Sequence, residues 1–280
     1  NIMKELFDSV SMACSVKTTK SYSTSFSLGI RFLDKQFRDP VYAVYGFVRF
    51  ADEIVDTFHD YDKEKLLNKF EEDTWCAIED RISLNPILNS FQWAFHKFNM
   101  DKAHVETFLR SMRMDLDKNA YDQEGYEDYI LGSAEVVGLM CLRIFVEGDE
   151  KMYQHLKPQA RSLGAAFQKI NFLRDLHADF LELGRAYFPG LNVNEFDEAT
   201  KKLIEAEIEA DFQEAYKGIV QLPKKARLGV YVAYVYYYRL FHKIKNLPSS
   251  RILQERVRIP NQHKVALFVG SYVKHSFNLI

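Results

Sequence analysis

The sequence predicts an all-α fold, and three observations support that prediction. Apolar residues recur with helical periodicity along most of the 280 residues. No stretch of alternating β-branched residues is bounded by hairpin signals. With 12 glycines and 7 prolines, both residue types fall below their usual frequencies, which favours helices over turn-rich β structure. We therefore expect one all-helical domain covering residues 1–280.

Sparse helix-breaking residues divide the chain into helices of roughly 10 to 30 residues. No Gly/Ser-rich linker, shift in composition or repeat of fixed period marks a second domain. Residues 61–73 and 201–216 mix both charge signs around an apolar stripe, which is typical of amphipathic helices with a solvated face. The expected breaks lie at Asp39-Pro40, Asn85-Pro86, Asn119 to Gly125, Gly148-Asp149, Pro158, Pro189-Gly190, Pro223, Pro248 and Pro260.

Charge and cysteine content exclude several classes of protein. The 37 Lys+Arg against 39 Asp+Glu give a formal net charge of −2, which argues against nucleic-acid binding through a basic surface. Three cysteines, odd in number and far apart, fit neither a disulfide framework nor a cysteine zinc site, and suit a reducing compartment. Residues 228–238, the longest uncharged apolar run, are too few to span a membrane, and residues 1–20 lack a signal-peptide core. We expect a cytoplasmic protein with at most peripheral membrane contact.

A polar stripe runs along an otherwise apolar helix predicted for residues 41–56. Its members, Tyr45, Arg49, Asp52 and Asp56, fall within an arc of about 60° at helical spacing. Carboxylates four residues apart repel one another, and carboxylates that face a core lose hydration. The stripe therefore calls for a cation beside it.

A second helix, predicted for residues 162–179, repeats the pattern. Gln168, Asn171, Asp175 and Asp179 span an arc of about 80° among Ala, Phe, Ile and Leu, and Arg174 lies beside them. Carboxylate and amide oxygens select a hard cation, and Mg²⁺ typically binds one or two carboxylates together with substrate phosphates. Two such helices indicate a Mg²⁺-diphosphate site in an apolar cavity. The alternative is a buried network in which the arginines neutralise the acids.

Five short segments match one known family. The most specific is the run from Asn171 to Asp179, with the pattern NxxRDxxxD, followed by GRAYFP at 184–189. With the other segments it makes the chain resemble the squalene/phytoene synthase family over residues 22–264, and its bacterial phytoene synthases more than its membrane-anchored squalene synthases. The other segments are DEIVD at 52–56 preceded by Arg49, STSF at 23–26, VVGLM at 136–140 and RVRI at 256–259.

The resemblance implies an isoprenoid-synthase helical bundle with a central apolar cavity, and head-to-head condensation of two prenyl diphosphates. Catalytic roles are implied for Asp52, Asp56, Asp175, Asp179 and Arg174. The implied metal ligands are Asp52, Asp56, Asn171, Asp175 and Asp179. The implied substrate contacts are Tyr22, Ser23, Ser25, Tyr45, Arg49, Gln168, Arg174, Tyr238 and Arg258. Glu53 and Ala178 depart from the family pattern without removing an implied ligand.

The resemblance also sets expectations for the reaction. We expect two geranylgeranyl diphosphates to give phytoene through a cyclopropylcarbinyl (prephytoene) diphosphate in carotenoid biosynthesis, with Mg²⁺, or Mn²⁺ in its place, and without NADPH. One alternative is a squalene or dehydrosqualene synthase that uses two farnesyl diphosphates. Another is a non-catalytic scaffold, which the retained acids disfavour. The aromatic run from Tyr231 to Tyr238 either lines the hydrocarbon tunnel or packs in the core; the oligomeric state and the proton acceptor stay open.

Overall fold

The computed structural model describes residues 2–117, 122–181, 188, 196–259, 271, 274 and 280, with the side chains of 179–181 left out. Every regular element among these residues is a helix, which confirms the all-α prediction. The elements are α1 (Ile2–Tyr22), α2 (Thr24–Arg31), α3 (Lys35–Asp56), α4 (Lys63–Asp80), α5 (Pro86–Lys97), α6 (Lys102–Asp117), α7 (Gln123–Ile130), a π turn (Leu131–Glu135), α8 (Val136–Phe145), α9 (Glu150–Arg174), α10 (Leu176–Leu181), α11 (Glu198–Ile219), α12 (Lys224–Lys245) and α13 (Ser249–Ile252).

Most helices begin where the sequence supplies a side-chain cap. Asn85 caps α5 just before Pro86, and Asp149 caps α9 by accepting from the backbone N–H of Met152 at 2.9 Å. Two expected breaks are wrong, because α3 continues through Pro40 and α9 continues through Pro158. Each proline removes one backbone donor, but packing of a long amphipathic helix outweighs that loss.

Other sequence expectations have mixed outcomes. Breaks at Pro223 and Pro248 are confirmed, whereas Pro189-Gly190 and Pro260 lie outside the described residues. The stretch 201–216 forms part of α11 but is not solvated throughout. Lys201 is buried. Its ammonium lies 2.5 Å from the carboxylate of Glu205 and donates a hydrogen bond to the carbonyl of Lys245 at the end of α12, which offsets the cost of burial.

Helix α9 runs antiparallel to α8, and its backbone lies almost in contact with α8 and with the π turn that precedes α8. A Cβ atom on Gly138 would lie 2.7 Å from the carbonyl oxygen of Ala160, and one on Gly164 would lie 2.5 Å from that of Ala134. Only glycine permits such an approach. The two helices, joined to α2, α3, α11 and α12, surround a central cavity. Within the described part of the chain, no helix is both long and apolar enough to cross a bilayer.

Candidate active site

A cavity of about 420 Å³ lies at the centre of the bundle, within the range of small-molecule sites. One end is polar and is formed by the C-terminal parts of α3 and α9, the π turn and α12. The other end is apolar and is formed by the N-terminal parts of α3 and α9 with the ends of α2, α8 and α11. The described residues thus form a deep apolar chamber beneath a charged entrance.

Helix α3 supplies an arginine that carries an unused donor. Arg49 forms an ion pair with Glu53 on the next turn, and its guanidinium lies 4.8 Å from the ring centroid of Tyr22. Its Nε–H is buried and finds no hydrogen-bond acceptor among the described residues. A buried charged donor without an acceptor is costly, so an anion at this position would complete the site.

Asp52, one helical turn further along, is surrounded by negative charge. Burial and, to a smaller extent, repulsion from Asp56 raise the pKa of the Asp52 carboxyl to about 8, although nearby Arg49 acts in the opposite direction. Asp115 on α6 also contributes, and it accepts a hydrogen bond from the Tyr129 hydroxyl at 2.6 Å. Asp115 was not predicted as a site residue, because Asp115 and Asp117 are two residues apart and such acids face different sides of a helix. The acids of this side fit a bound cation.

On the opposite wall, a chain of hydrogen bonds connects four cavity-lining side chains. The Tyr237 hydroxyl donates to Asn171 Oδ1 at 3.3 Å, and Asn171 Nδ2 donates to Gln168 Oε1 at 3.5 Å. Gln168 Nε2 then donates to the Ser133 hydroxyl of the π turn at 3.2 Å. The chain fixes the orientation of both amides. Ser133 was not predicted from the sequence, and Tyr237 was covered only by the aromatic run for which tunnel lining was one alternative.

Asp175 is held by two guanidinium groups. Arg174 donates to it through Nε at 3.0 Å and Nη2 at 2.8 Å, while Arg256 Nε lies 2.9 Å from Oδ1. Burial lowers the pKa of Arg174, but the hydrogen bond to Asp175 outweighs that effect and the net shift is upward. Arg174 and Arg256 both line the cavity. The ion-pair alternative raised from the sequence is therefore realised at Asp175, whereas Asp52 lies among like charges.

Several predicted site residues do come together. Tyr22, Ser23, Tyr45, Arg49 and Asp52 line the cavity from α1–α3, facing Gln168, Asn171 and Arg174 on α9. Ser23 also caps α2, since it accepts from the backbone N–H of Phe26 at 3.1 Å. Asp56 does not line the cavity bounded by the described residues but is near enough to shift Asp52. Asp179 lies on α10, but its side chain is outside the described part of the structure. The 184–189 motif is also outside the described residues, except for Phe188, which is buried.

Three predicted substrate contacts lie elsewhere. Tyr238 faces α11, where its hydroxyl donates to Glu209 at 3.2 Å, and Tyr237 lines the cavity in its place. Arg258 is exposed and its carbonyl accepts from Lys243, while Arg256 lies at the entrance. Neither the Tyr238 nor the Arg258 side chain lines the cavity that the described residues form. Ser25 does not line the cavity either. The neighbouring residue Phe26 lies on the face of α2 that lines it.

The aromatic run of α12 is mostly core. Tyr234 and Tyr238 stack at 5.9 Å, and both meet Phe212 of α11 edge-on. Tyr231 stacks on Tyr234 at 6.1 Å. Of the eight residues from Tyr231 to Tyr238, Ala233 and Tyr237 line the cavity. The core-packing interpretation is therefore correct for most of the run.

The donor set can be tested against a divalent cation. Asp52, Asp56 and Asn171 offer hard oxygen ligands, and Asp52 and Asn171 line the same cavity from α3 and α9. Burial and then repulsion from Asp56 raise the pKa of Asp52, and a bound cation would offset both effects. No group of three or more His, Cys, Asp and Glu side chains forms a ready cation cage in the described ranges. Such a set fits Mg²⁺ that keeps waters and takes further ligands from substrate phosphates.

Fold and site together place the chain among the all-helical isoprenoid-synthase folds. The squalene/phytoene synthase family model matches residues 19–263, and the chain belongs to that family. It is 28% identical over 184 residues to 4,4'-diapophytoene synthase of Staphylococcus haemolyticus, covering 64% of this chain and 62% of the relative. It is 28% identical over 240 residues to phytoene synthase of Cereibacter sphaeroides, covering 75% and 65%.

A solved structure has the same fold. The crystal structure of a dehydrosqualene synthase in complex with ligand superposes with a TM-score of 0.79 at 23% identity, covering 95% of this chain and 98% of that one. The matches span less than two thirds of the length of the two curated relatives. The family and the fold are thus established, and the reaction is taken up as a proposal.

Proposed function

We propose that the protein condenses two prenyl diphosphates head to head. One observation carries the proposal: Arg49, Arg174 and Arg256 converge with Asp52 at one end of a cavity that is otherwise apolar. A diphosphate is an anion that guanidinium groups bind with charge-assisted hydrogen bonds, and the apolar chamber suits a hydrocarbon tail. A non-catalytic scaffold would have no use for this charge arrangement.

The polar end would hold the diphosphates together with divalent cations. Asp52, Asp56 and Asn171 would bind Mg²⁺, or Mn²⁺ in its place, and Asp175 and Asp179 are the proposed ligands on the other side. When bound, the ion would supply Lewis-acid stabilisation of charge on the leaving diphosphate. Asp175 would exchange its arginine partners for the cation as Arg174 and Arg256 turn to the phosphates.

Arg49 and Arg174 would stabilise the charge that the diphosphate gains as the carbon–oxygen bond of the first substrate breaks. The second substrate's double bond then attacks the allylic cation, and loss of a proton closes a cyclopropylcarbinyl diphosphate. A second carbon–oxygen cleavage, rearrangement and loss of another proton give a central triene. Two diphosphates and two protons leave without a redox step. The apolar walls exclude water, which would otherwise capture the cations.

The depth of the cavity supports geranylgeranyl diphosphate as the substrate. Asp52 and Val41 lie eleven residues apart on α3, and Gln168 and Leu156 lie twelve apart on α9. At 1.5 Å per residue, both pairs give a depth of roughly 17 Å. An extended chain advances about 3.5 Å per three bonds, so four isoprene units would span roughly 17 Å and three units roughly 13 Å. The likeness to a diapophytoene synthase keeps farnesyl diphosphate as the alternative.

Product analysis tests the proposal. The purified protein is incubated with Mg²⁺ and either geranylgeranyl or farnesyl diphosphate, with and without NADPH, and the extracted hydrocarbons are identified by mass. Phytoene from geranylgeranyl diphosphate without NADPH supports the proposal. NADPH consumption matched to squalene would move the assignment to a squalene synthase, and a C30 triene from farnesyl diphosphate to a dehydrosqualene synthase. No turnover of either substrate would refute the condensation.

Membrane contact is a further part of the proposal. The hydrocarbon product carries no charge and is expected to leave for a lipid phase, so we infer transient peripheral binding. Co-sedimentation with lipid vesicles during turnover, but not with apo enzyme alone, is the expected result.

A further inference from the structure

Five apolar side chains, three on helices and two just after helices, line the apolar end of the cavity. Leu33 follows α2, Phe145 ends α8, Leu156 lies on α9 and Leu222 follows α11. Val41 of α3 completes the ring. All except the partly buried Val41 are at most 9% exposed. We call these five residues the floor.

Two of the floor residues are tightly packed. Phe145 meets Phe37 edge-on, with ring centroids 6.0 Å apart and planes at 81°, and Phe37 does not line the cavity bounded by the described residues. Leu33 lies over Gly229 so closely that a Cβ on Gly229 would be 2.5 Å from the Leu33 Cδ2 atom. Close packing limits the space into which the Phe145 and Leu33 side chains could withdraw.

Phe145 is the largest floor residue, and it lies on a continuous face of α8. Val137, Cys141 and Phe145 follow one another at intervals of four residues and all line the cavity. Ala134 of the π turn and Phe145 at the end of α8 lie eleven residues apart, which corresponds to a rise of roughly 16 Å, close to the depth that α3 and α9 give. A tail that enters beside the π turn therefore meets the Phe145 ring last.

We propose that Phe145 is a specificity-determining residue that limits the length of the prenyl tail, and that Cys141 marks the level one turn above it. This inference rests on the proposed function. Truncating Phe145 would lengthen the chamber, whereas enlarging Cys141 would shorten it. One methylene in an apolar pocket changes selectivity by roughly 10- to 200-fold, so an isoprene unit of five carbons leaves a clear signal.

The test compares kcat/KM for geranylgeranyl and farnesyl diphosphates in Phe145→Ala and Cys141→Phe. We expect the geranylgeranyl-to-farnesyl ratio to rise at least about tenfold in F145A and to fall at least about tenfold in C141F. F145A should also accept a C25 prenyl diphosphate. The direction of each change does not depend on which substrate the unaltered protein prefers.

Phe98→Ala is the matched control. Phe98 is 9% exposed, as is Phe145, but it does not line the cavity bounded by the described residues. F98A should lower the melting temperature by a similar amount and leave the ratio unchanged. Phe145→Leu provides a milder change if F145A does not fold, with a ratio between those of F145A and the unaltered protein.

The inference is overturned if the geranylgeranyl-to-farnesyl ratio of kcat/KM stays within twofold of the unaltered protein in both C141F and folded F145A. F145L takes the place of F145A in this comparison if F145A does not fold. If the unaltered protein consumes neither substrate, the proposed function fails separately. The floor is then tested by the Kd of geranylgeranyl and farnesyl thiodiphosphates. An F145A shift of at least tenfold toward the longer analogue supports the inference, and a smaller or opposite shift overturns it.

Discussion

Arg174 and Asp175, adjacent in sequence, form a two-point ion pair, with Nε–H···Oδ1 at 3.0 Å and Nη2–H···Oδ2 at 2.8 Å. Arg256 adds a third donor to the same carboxylate at 2.9 Å. Asp52 has different surroundings, since burial, followed in size by the charges of Asp56 and Asp115, raises its pKa despite nearby Arg49. The two acidic stripes look equivalent in the sequence, yet Asp175 is paired with two guanidinium groups whereas the Asp52 carboxylate is disfavoured. Substitutions should separate them.

Asp52→Asn should leave the melting temperature unchanged or raise it, because it removes a carboxylate that its neighbours repel. Turnover should fall by at least about 10²-fold if Asp52 helps to hold the diphosphate cation. Thermal melting and specific activity are measured on the same preparation. A fully active, stable variant would remove Asp52 from the site.

Asp175→Asn should lower the melting temperature as well as turnover. Arg174 loses its charged partner, although the cost should be below the roughly 3–5 kcal/mol of a fully buried pair, since the two side chains are 20% and 24% exposed. Denaturant unfolding gives the stability, and activity is expressed per folded molecule. Turnover that falls only in proportion to the folded fraction would leave Asp175 a purely structural residue.

Removal of divalent cations should stop the reaction but hardly affect the fold. EDTA is expected to abolish turnover, and Mg²⁺ or Mn²⁺ to restore it, because the proposed ligands bind the ion together with phosphates. Mg²⁺ with inorganic diphosphate should raise the melting temperature more than Mg²⁺ alone. Full-rate turnover in EDTA would contradict the metal requirement.

Tyr237→Phe and Tyr238→Phe form a matched pair on adjacent residues. Tyr237→Phe removes the donor to Asn171 and should lower kcat/KM about fivefold, since one hydrogen bond contributes roughly 1 kcal/mol. Tyr238→Phe removes only the bond to Glu209 and should leave kinetics unchanged. Steady-state kinetics on both variants decides the matter, and equal losses would argue against the distinction.

Cysteine labelling reports on the cavity. Burial raises the pKa of the Cys141 thiol to about 12, so at pH 8 it stays protonated and unreactive, and only well above that pH would the thiolate form. Cys76 is exposed and should react with iodoacetamide at pH 8. Peptide mass spectrometry identifies the modified residue. An apolar maleimide should label Cys141 slowly, and a farnesyl thiodiphosphate should prevent this labelling. Rapid labelling of Cys141 in the presence of that analogue would count against the tail-binding chamber.

Periodicity predicted correctly that the polar stripes of α3 and α9 share the cavity as far as Asp52 and Asn171. It also selected Asp56 and Asp175, which do not line the cavity that the described residues form, and the helix predicted for residues 162–179 ends at Arg174. Once residues 41–56 form a helix, the face that carries Arg49 and Asp52 is fixed by the helical repeat. Asp115, Ser133 and Arg256 could not be found this way, because they reach the site from other segments through tertiary packing. The resemblance implies Tyr238, but Tyr237 lines the cavity, because a shift of one residue turns the side chain by about 100° around the helix. Pro40 and Pro158 show packing overriding a local helix-breaking preference.

The close approach of α9 to α8 at Gly138, and to the π turn at Gly164, distinguishes the width of the chamber from its length. The width of the chamber on that side is set by main-chain atoms, so ordinary side-chain replacements cannot narrow it. Any larger residue at either glycine would force the neighbouring backbones apart. The length of the chamber is set by side chains such as Phe145. Descendants of this protein could therefore acquire longer or shorter substrates by single substitutions, whereas a bulkier, branched substrate would require the helices themselves to move.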